Sequence, residues 1–203
     1  NSFAMGSKIP HPQSIFAGMP HRQVIRDIQA GSLKPVYLLH GEEPYFIDEI
    51  AKVLENDVVE ESMRDFNQTV VYGRDTNVDQ VLEAARRFPM MAERQLVLMR
   101  EAQDWPAWRR KDDMAKLETY AKAPVASTVL VFCFKNKKAD GRLKAVKAIS
   151  KAGVLFLSEK VRDYKLPEWI SNYVRDTGLY TLLFTVVSRR NWSPSYCCHG
   201  LSQ

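Results

Sequence analysis

The stretch Pro35-Val36-Tyr37-Leu38-Leu39-His40-Gly41-Glu42-Glu43-Pro44-Tyr45-Phe46-Ile47 decides the fold of this chain. A compact apolar run bounded by Pro35 and Gly41 suits a strand buried on both faces. Beyond the glycine, Pro44 is tolerated at a first helical position, and Phe46, Ile47, Ile50, Val53 and Leu54 continue as one apolar stripe at helical spacing. A buried strand, a glycine turn and an amphipathic helix together open a parallel α/β unit.

The same alternation extends outward in both directions. Upstream, Val24, Ile25 and Ile28 mark a short amphipathic helix stopped by Gly31. Downstream, Thr69-Val70-Val71-Tyr72 reads as a strand closed by Gly73, and Asn77 is a good N-cap for a helix with Val78, Val81, Leu82 and Ala85 on one face. Leu96-Val97-Leu98-Met99 is a third strand. Trp105-Pro106 opens a more polar helix with Met114, Leu117 and Ala121 inward, and Thr128 to Phe134 forms a fourth strand. Asp140 introduces a helix burying Leu143, Val146 and Ile149, ended by Gly153 before a fifth strand, Val154-Leu155-Phe156-Leu157. The expectation is an α/β fold: a five-stranded, mostly parallel sheet flanked by helices, with right-handed crossovers.

After the fifth strand, Leu166, Trp169, Ile170, Tyr173 and Val174 form a helical stripe that ends at Gly178 and reads as the start of a helical lid domain. Leu179 to Gln203 then lose all helical period. The expected organisation is a leader, tag-derived or disordered, over 1–18, an α/β domain over 19–158, the first helix of a helical domain over 159–178, and an atypical, non-native tail over 179–203.

The chain has 203 residues, 45% of them hydrophobic and 26% charged, an ordinary globular composition. It contains no run of about 18 apolar residues, and Asn1 to Gly18 lack the basic and apolar regions of a secretory signal. A cytoplasmic protein with no membrane partner is expected. Cys133, Cys197 and Cys198 offer neither metal-ligand spacing nor a disulfide framework, and Cys133 sits in an apolar run as a small buried hydrophobe. No metal or cofactor is expected.

The loop after the first strand is where a doubly wound sheet holds phosphate. Gly41-Glu42-Glu43-Pro44 has no second glycine, no lysine and no hydroxyl, so the groups of a phosphate-binding loop are missing. Glu42 and Glu43 would repel phosphate, and Pro44 removes a donor. His40 has no nucleophile poised beside it and reads as a satisfied strand-end histidine, while Glu42 and Glu43 read as acids favouring a helix N-terminus. No active site is assigned.

Two features remain as binding candidates. Phe88-Pro89-Met90-Met91-Ala92-Glu93 joins a helix to a strand, and two unbranched apolar side chains after a proline at such a junction make an adaptable surface anchor; spacing alone also allows them to cap the core. Lys135, Lys137, Lys138, Arg142, Lys144, Lys147 and Lys151 lie together with Asp140 as the sole acid among them. They form either a phosphate-contacting strip or a solvated face, and no aromatic residue interleaves to stack bases.

The run Pro35 to Glu49 resembles the start of the delta subunit of bacterial DNA polymerase III, the clamp-loader wrench, in which a strand, Gly and acid pattern replaces the P-loop of a AAA+-like module. Phe88-Pro89-Met90-Met91-Ala92-Glu93-Arg94-Gln95-Leu96-Val97 is similar to that family's clamp-contacting turn, and Leu166-Pro167-Glu168-Trp169-Ile170 to the opening of its helical domain. The resemblance covers roughly residues 20 to 178. It implies a non-catalytic subunit of the polymerase holoenzyme that binds and opens the sliding clamp (the beta subunit). It also implies work with other clamp-loader subunits on primed DNA, with Phe88, Pro89, Met90 and Met91 inheriting the clamp contact. Methionine stands where many members carry Leu and Phe. Two other readings stay open: a divergent P-loop-like nucleotide-binding enzyme, and a nucleic-acid-binding module built on the Lys135 to Lys151 strip.

Overall fold

A computed structural model describes residues 20–177. Its elements are α1 Pro20–Gln29, β1 Val36–Gly41, α2 Pro44–Asp57, a one-turn α3 Arg64–Asn67, β2 Gln68–Tyr72, α4 Val78–Arg86, β3 Gln95–Arg100, α5 Lys111–Lys122, β4 Thr128–Lys135, α6 Lys144–Ala152, β5 Val154–Ser158 and α7 Leu166–Thr177. The chain divides into two compact units after Lys160. The first unit holds the sheet, and α7 belongs to the second. The expected leader and tail lie outside the described residues.

The five strands run in the order β2-β3-β4-β1-β5. Every neighbouring pair is parallel, so the sheet is parallel throughout rather than mostly so. The crossover from β1 carries α2 and α3 to the β2 edge, and the chain returns through α4 and α5 on the opposite face, as right-handed crossovers require. On that return face Val36, Leu38, Val97, Met99, Leu130 and Phe132 share one buried cluster with apolar residues of α4, α5 and α6. The other face is covered by α2, which touches four strands and packs against α1. There Ile28, Phe46, Ile47, Ile50 and Leu54 are buried. The result is the three-layer α/β architecture, a parallel sheet with helices on both faces, that the strand and helix periods imply.

Local chemistry fixes the helix ends. Asn77 and Gln80 form a reciprocal capping box at the start of α4, each side chain accepting the other residue's backbone N–H. One helix differs from expectation: Trp105-Pro106 does not begin α5 but a separate 3₁₀ turn, Pro106–Arg109, broken from α5 by extended Arg110. The break lets two indoles turn inward. Trp105 stacks on Phe132 and donates from Nε1 to the Thr76 carbonyl, while Trp108 meets Phe132 and Phe134 edge-on and donates to the Ala102 carbonyl. Both indole N–H groups thus find carbonyl partners.

The packing of α1 on α2 rests on a neutral histidine. His21 is buried, its ring stacked 4.3 Å from that of Phe46 with Nε2 3.7 Å from a Glu49 oxygen. Burial, helped by the Arg22 charge, pushes its pKa down to about 4. The unfolded chain therefore takes up a proton here at a higher pH than the folded one. Stability from this site is complete above about pH 6.5 and is lost as pH falls toward 4, with roughly 2 kcal/mol gone by pH 5. Burial raises the Glu49 pKa, which opposes the trend at the acid end. Chemical denaturation at pH 7 and pH 5 checks this: the loss between the two should shrink by about that amount in His21→Gln. An unchanged loss would assign the acid lability elsewhere.

Candidate functional site

Because all strands are parallel, the sheet has two chemically distinct rims. The carboxyl-end rim carries the Gly41-Glu42-Glu43-Pro44 loop, and the amino-end rim carries the loop that feeds β3.

At the first rim the backbone donors that would cradle phosphate are committed within the chain. Gly41 N–H donates to the Lys137 carbonyl and Glu42 N–H to the Ser158 carbonyl, both at 2.9 Å. The Glu43 carboxylate caps α2 by accepting the Tyr45 N–H at 3.2 Å, Pro44 has no N–H, and the Ser158 hydroxyl donates to the Glu43 carbonyl. Gly41 is essential to this closure. Its φ is +146°, and a Cβ there would lie 1.9 Å from the Ser158 carbonyl oxygen. The loop is thus drawn onto the end of β5 rather than opened around a ligand. His40 is buried beside it, with Nδ1 accepting the Ala139 N–H at 3.2 Å. Burial, followed by the Lys138 charge, lowers its pKa, so it is neutral and bonded to backbone at neutral pH. Cys133 is buried too, its thiol pushed up to about 12 by desolvation. Among the described residues no group of three His, Cys, Asp or Glu is placed to hold a metal ion.

The second rim presents apolar side chains to solvent. Met90 is 60% and Met91 89% exposed, and Phe88 is 85% exposed, whereas Pro89 is half-buried. These methionines therefore do not cap the core. Helix α4 ends at Arg86, and its C-cap residue Arg87 turns extended ahead of Phe88-Pro89, where Phe88, preceding the proline, is itself disfavoured in the helical region.

Two buried amides hold the loop. Asn67, at the end of α3, is 2% exposed. Its Nδ2 donates to the Met90 and Met63 carbonyls at 2.8 and 3.1 Å, and its Oδ1 accepts the Met90 N–H at 2.6 Å. The side chain thus pairs with Met90 as a strand backbone would. At the other end Gln95 Nε2 donates to the Arg87 and Ala84 carbonyls and reaches the Thr128 hydroxyl. Between these anchors Met91 adopts φ +55°, a left-handed conformation that costs a non-glycine residue about 1 kcal/mol or more. Such strain persists only where the surroundings over-determine the backbone. Phe66, next to Asn67 and 69% exposed, brings one more apolar side chain to this corner. Sequence periodicity singled out neither Asn67, Gln95 nor Phe66; an isolated polar residue carries no local sign of a partner 23 positions away.

The basic strip does not survive as one unit. Lys135 pairs with Asp48 at 2.6 Å, Lys138 with Glu42 at 3.3 Å and Arg142 with Asp140 at 3.0 Å. The acids for the first two come from α2 and the loop before it, which local sequence does not bring near. Lys137 is exposed and gives its carbonyl to Gly41. Lys144, Lys147 and Lys151 face solvent along α6, as its apolar spacing implies.

Residues 37–158 match the family described as DNA polymerase III, delta subunit. The DNA polymerase III subunit delta of Bacillus subtilis (strain 168) is 27% identical over 156 residues, 75% of this chain and 45% of that protein. The solved structure of the Bacillus subtilis DNA clamp loader delta protein superposes with a TM-score of 0.66 at 25% identity, over 77% of this chain and 48% of that one. The chain spans about half the length of these two relatives. No helix among the described residues is long and apolar enough to cross a membrane.

Proposed function

Since the chain belongs to the DNA polymerase III delta-subunit family, we infer that it is a non-catalytic clamp-loader subunit that binds the sliding clamp through Met90 and Met91 and opens the ring. One observation carries this reading: an exposed methionine pair is held in a strained, doubly anchored loop inside the matched region. Unbranched thioether side chains adapt to an apolar pocket, and the fixed backbone reduces the ordering cost of docking. Phe88 and Phe66 widen the apolar corner, and Pro89 stiffens it. Other loader subunits and primed DNA are the further partners of this role, exercised in the cytoplasm. A sliding clamp carrying a self-quenched dye pair across its subunit interface tests it: adding the chain should raise the fluorescence, and an unchanged signal with clamp bound would limit the role to binding.

The same reading excludes nucleotide. With the Gly41 and Glu42 N–H groups bonded to carbonyls, no N–H at Pro44 and two carboxylates beside them, the loop disfavours a triphosphate. Titration with labelled ATP and Mg²⁺ to millimolar concentration should show no saturable binding. Micromolar affinity would instead favour a divergent nucleotide-binding enzyme.

A further inference from the structure

The fold sorts the methionines of the described residues sharply by access to solvent. Met99 is fully buried in β3, and Met63 and Met114 are half-buried. Met91 and Met90, at 89% and 60% exposed, stand apart from them. Their loop is held through backbone groups: Asn67 grips the N–H and carbonyl of Met90, and Gln95 the carbonyls of Ala84 and Arg87. Both thioethers are therefore open to a small polar oxidant without any opening of the fold. Cys133 does not compete for such an oxidant, because burial pushes its thiol up to about 12 and the reactive thiolate does not form. A thioether needs no deprotonation to react.

We propose that Met90 and Met91 form a modification site, at which a peroxide converts the exposed thioethers to sulfoxides and so releases the clamp, an inference that rests on the clamp contact proposed above. A sulfur lone pair attacks one peroxide oxygen and the O–O bond breaks. The proton of the transferred oxygen passes to the departing hydroxide, which leaves as water. Sulfur is oxidised by two electrons and the peroxide is reduced by two. The product replaces an adaptable apolar side chain with a strongly polar acceptor. Burying that oxygen in an apolar pocket without a donor opposes docking. The loop itself keeps its shape, since its anchors bind backbone rather than sulfur. A thiol-dependent methionine sulfoxide reductase reverses the change: two thiols become a disulfide, and the sulfoxide oxygen leaves as water. Exposure that admits the oxidant also admits the reductase.

Titration of a sliding clamp with the full chain, before and after treatment with millimolar hydrogen peroxide, tests the proposal. Dithiothreitol added after the peroxide returns disulfides and sulfenic acids to thiols and leaves sulfoxides in place. Trypsin releases both methionines on one peptide, residues 88–94, apart from Met63, Met99 and Met114. Mass spectrometry should find that peptide oxidised at least about tenfold faster than the one carrying Met99. The Kd for clamp should then rise at least about tenfold with an unchanged thermal melt, and the reductase should restore it. In the variant Met90→Leu, Met91→Leu, the same treatment should leave the variant's own Kd where it was. Should that variant bind too weakly to compare, reductase rescue of the parent chain decides. No binding by the untreated chain would overturn the clamp reading and this site with it. Binding that peroxide leaves unchanged would overturn the modification site alone. So would an equal loss in the leucine variant, or a loss that the reductase does not reverse.

Discussion

Replacing Met90 and Met91 together by alanine should weaken clamp binding by about two to four orders of magnitude while leaving the fold intact. Full burial of each side chain in a partner's pocket contributes roughly 1.5 to 3 kcal/mol, and the pair together reaches 3 to 6 kcal/mol. The stability side of the prediction follows from exposure. At 60% and 89% exposed, the two side chains contribute little to the core, so the thermal melt of the double variant should coincide with that of the parent chain. The single variants should each lose part of the affinity, with non-additive sums, as paired anchors in one pocket do. If the double variant unfolds while its folded fraction binds the clamp normally, the methionines are structural and the contact lies elsewhere.

Asn67→Ala should produce the next largest effect, and it acts on stability and binding together. The substitution removes three hydrogen bonds at a 2% exposed site, leaving the Met63 carbonyl and both backbone groups of Met90 to find other partners. A cost of about 2 to 4 kcal/mol in denaturant unfolding is expected from orphaned buried polar groups. Released at one end, the loop no longer has to hold Met91 at φ +55°, and the chain must order it on binding. Clamp affinity of the folded protein should fall about tenfold with Met90 and Met91 still present. Asn67→Asp keeps the acceptor for the Met90 N–H but turns a buried carboxylate oxygen on the Met63 and Met90 carbonyls, so it should destabilise at least as much as alanine. Affinity unchanged in a destabilised Asn67→Ala would mean the loop orders itself without this amide.

The parts of this protein that could be read from its sequence are those governed by local rules. Apolar runs between Gly and Pro became the five strands, and Asn77 capped α4 as its side chain chemistry requires. The missing P-loop groups were visible as residue types. The closure of that loop was not, because it depends on Ser158, more than a hundred positions from Glu43. The methionine loop was legible as a composition at a junction, whereas its anchors were not: Asn67 and Gln95 look like any polar residues until the fold brings backbone to them. Charge was the least legible property. The strip from Lys135 to Lys151 appears nearly free of acids in sequence, yet Asp48 and Glu42 neutralise two of its members in space. Likewise, extended Arg110 separates the 3₁₀ turn Pro106–Arg109 from α5, in a stretch that periodicity alone would read as one helix.

Isothermal titration of this chain with a bacterial sliding clamp, at low salt and again at several-fold higher salt, tests the central claim most directly. A contact carried by buried methionine side chains is little affected by ionic screening, whereas a contact carried by exposed lysines weakens steeply. Saturable binding with nearly the same Kd at both salt concentrations is the predicted result; no binding, or binding that vanishes at high salt, would contradict it.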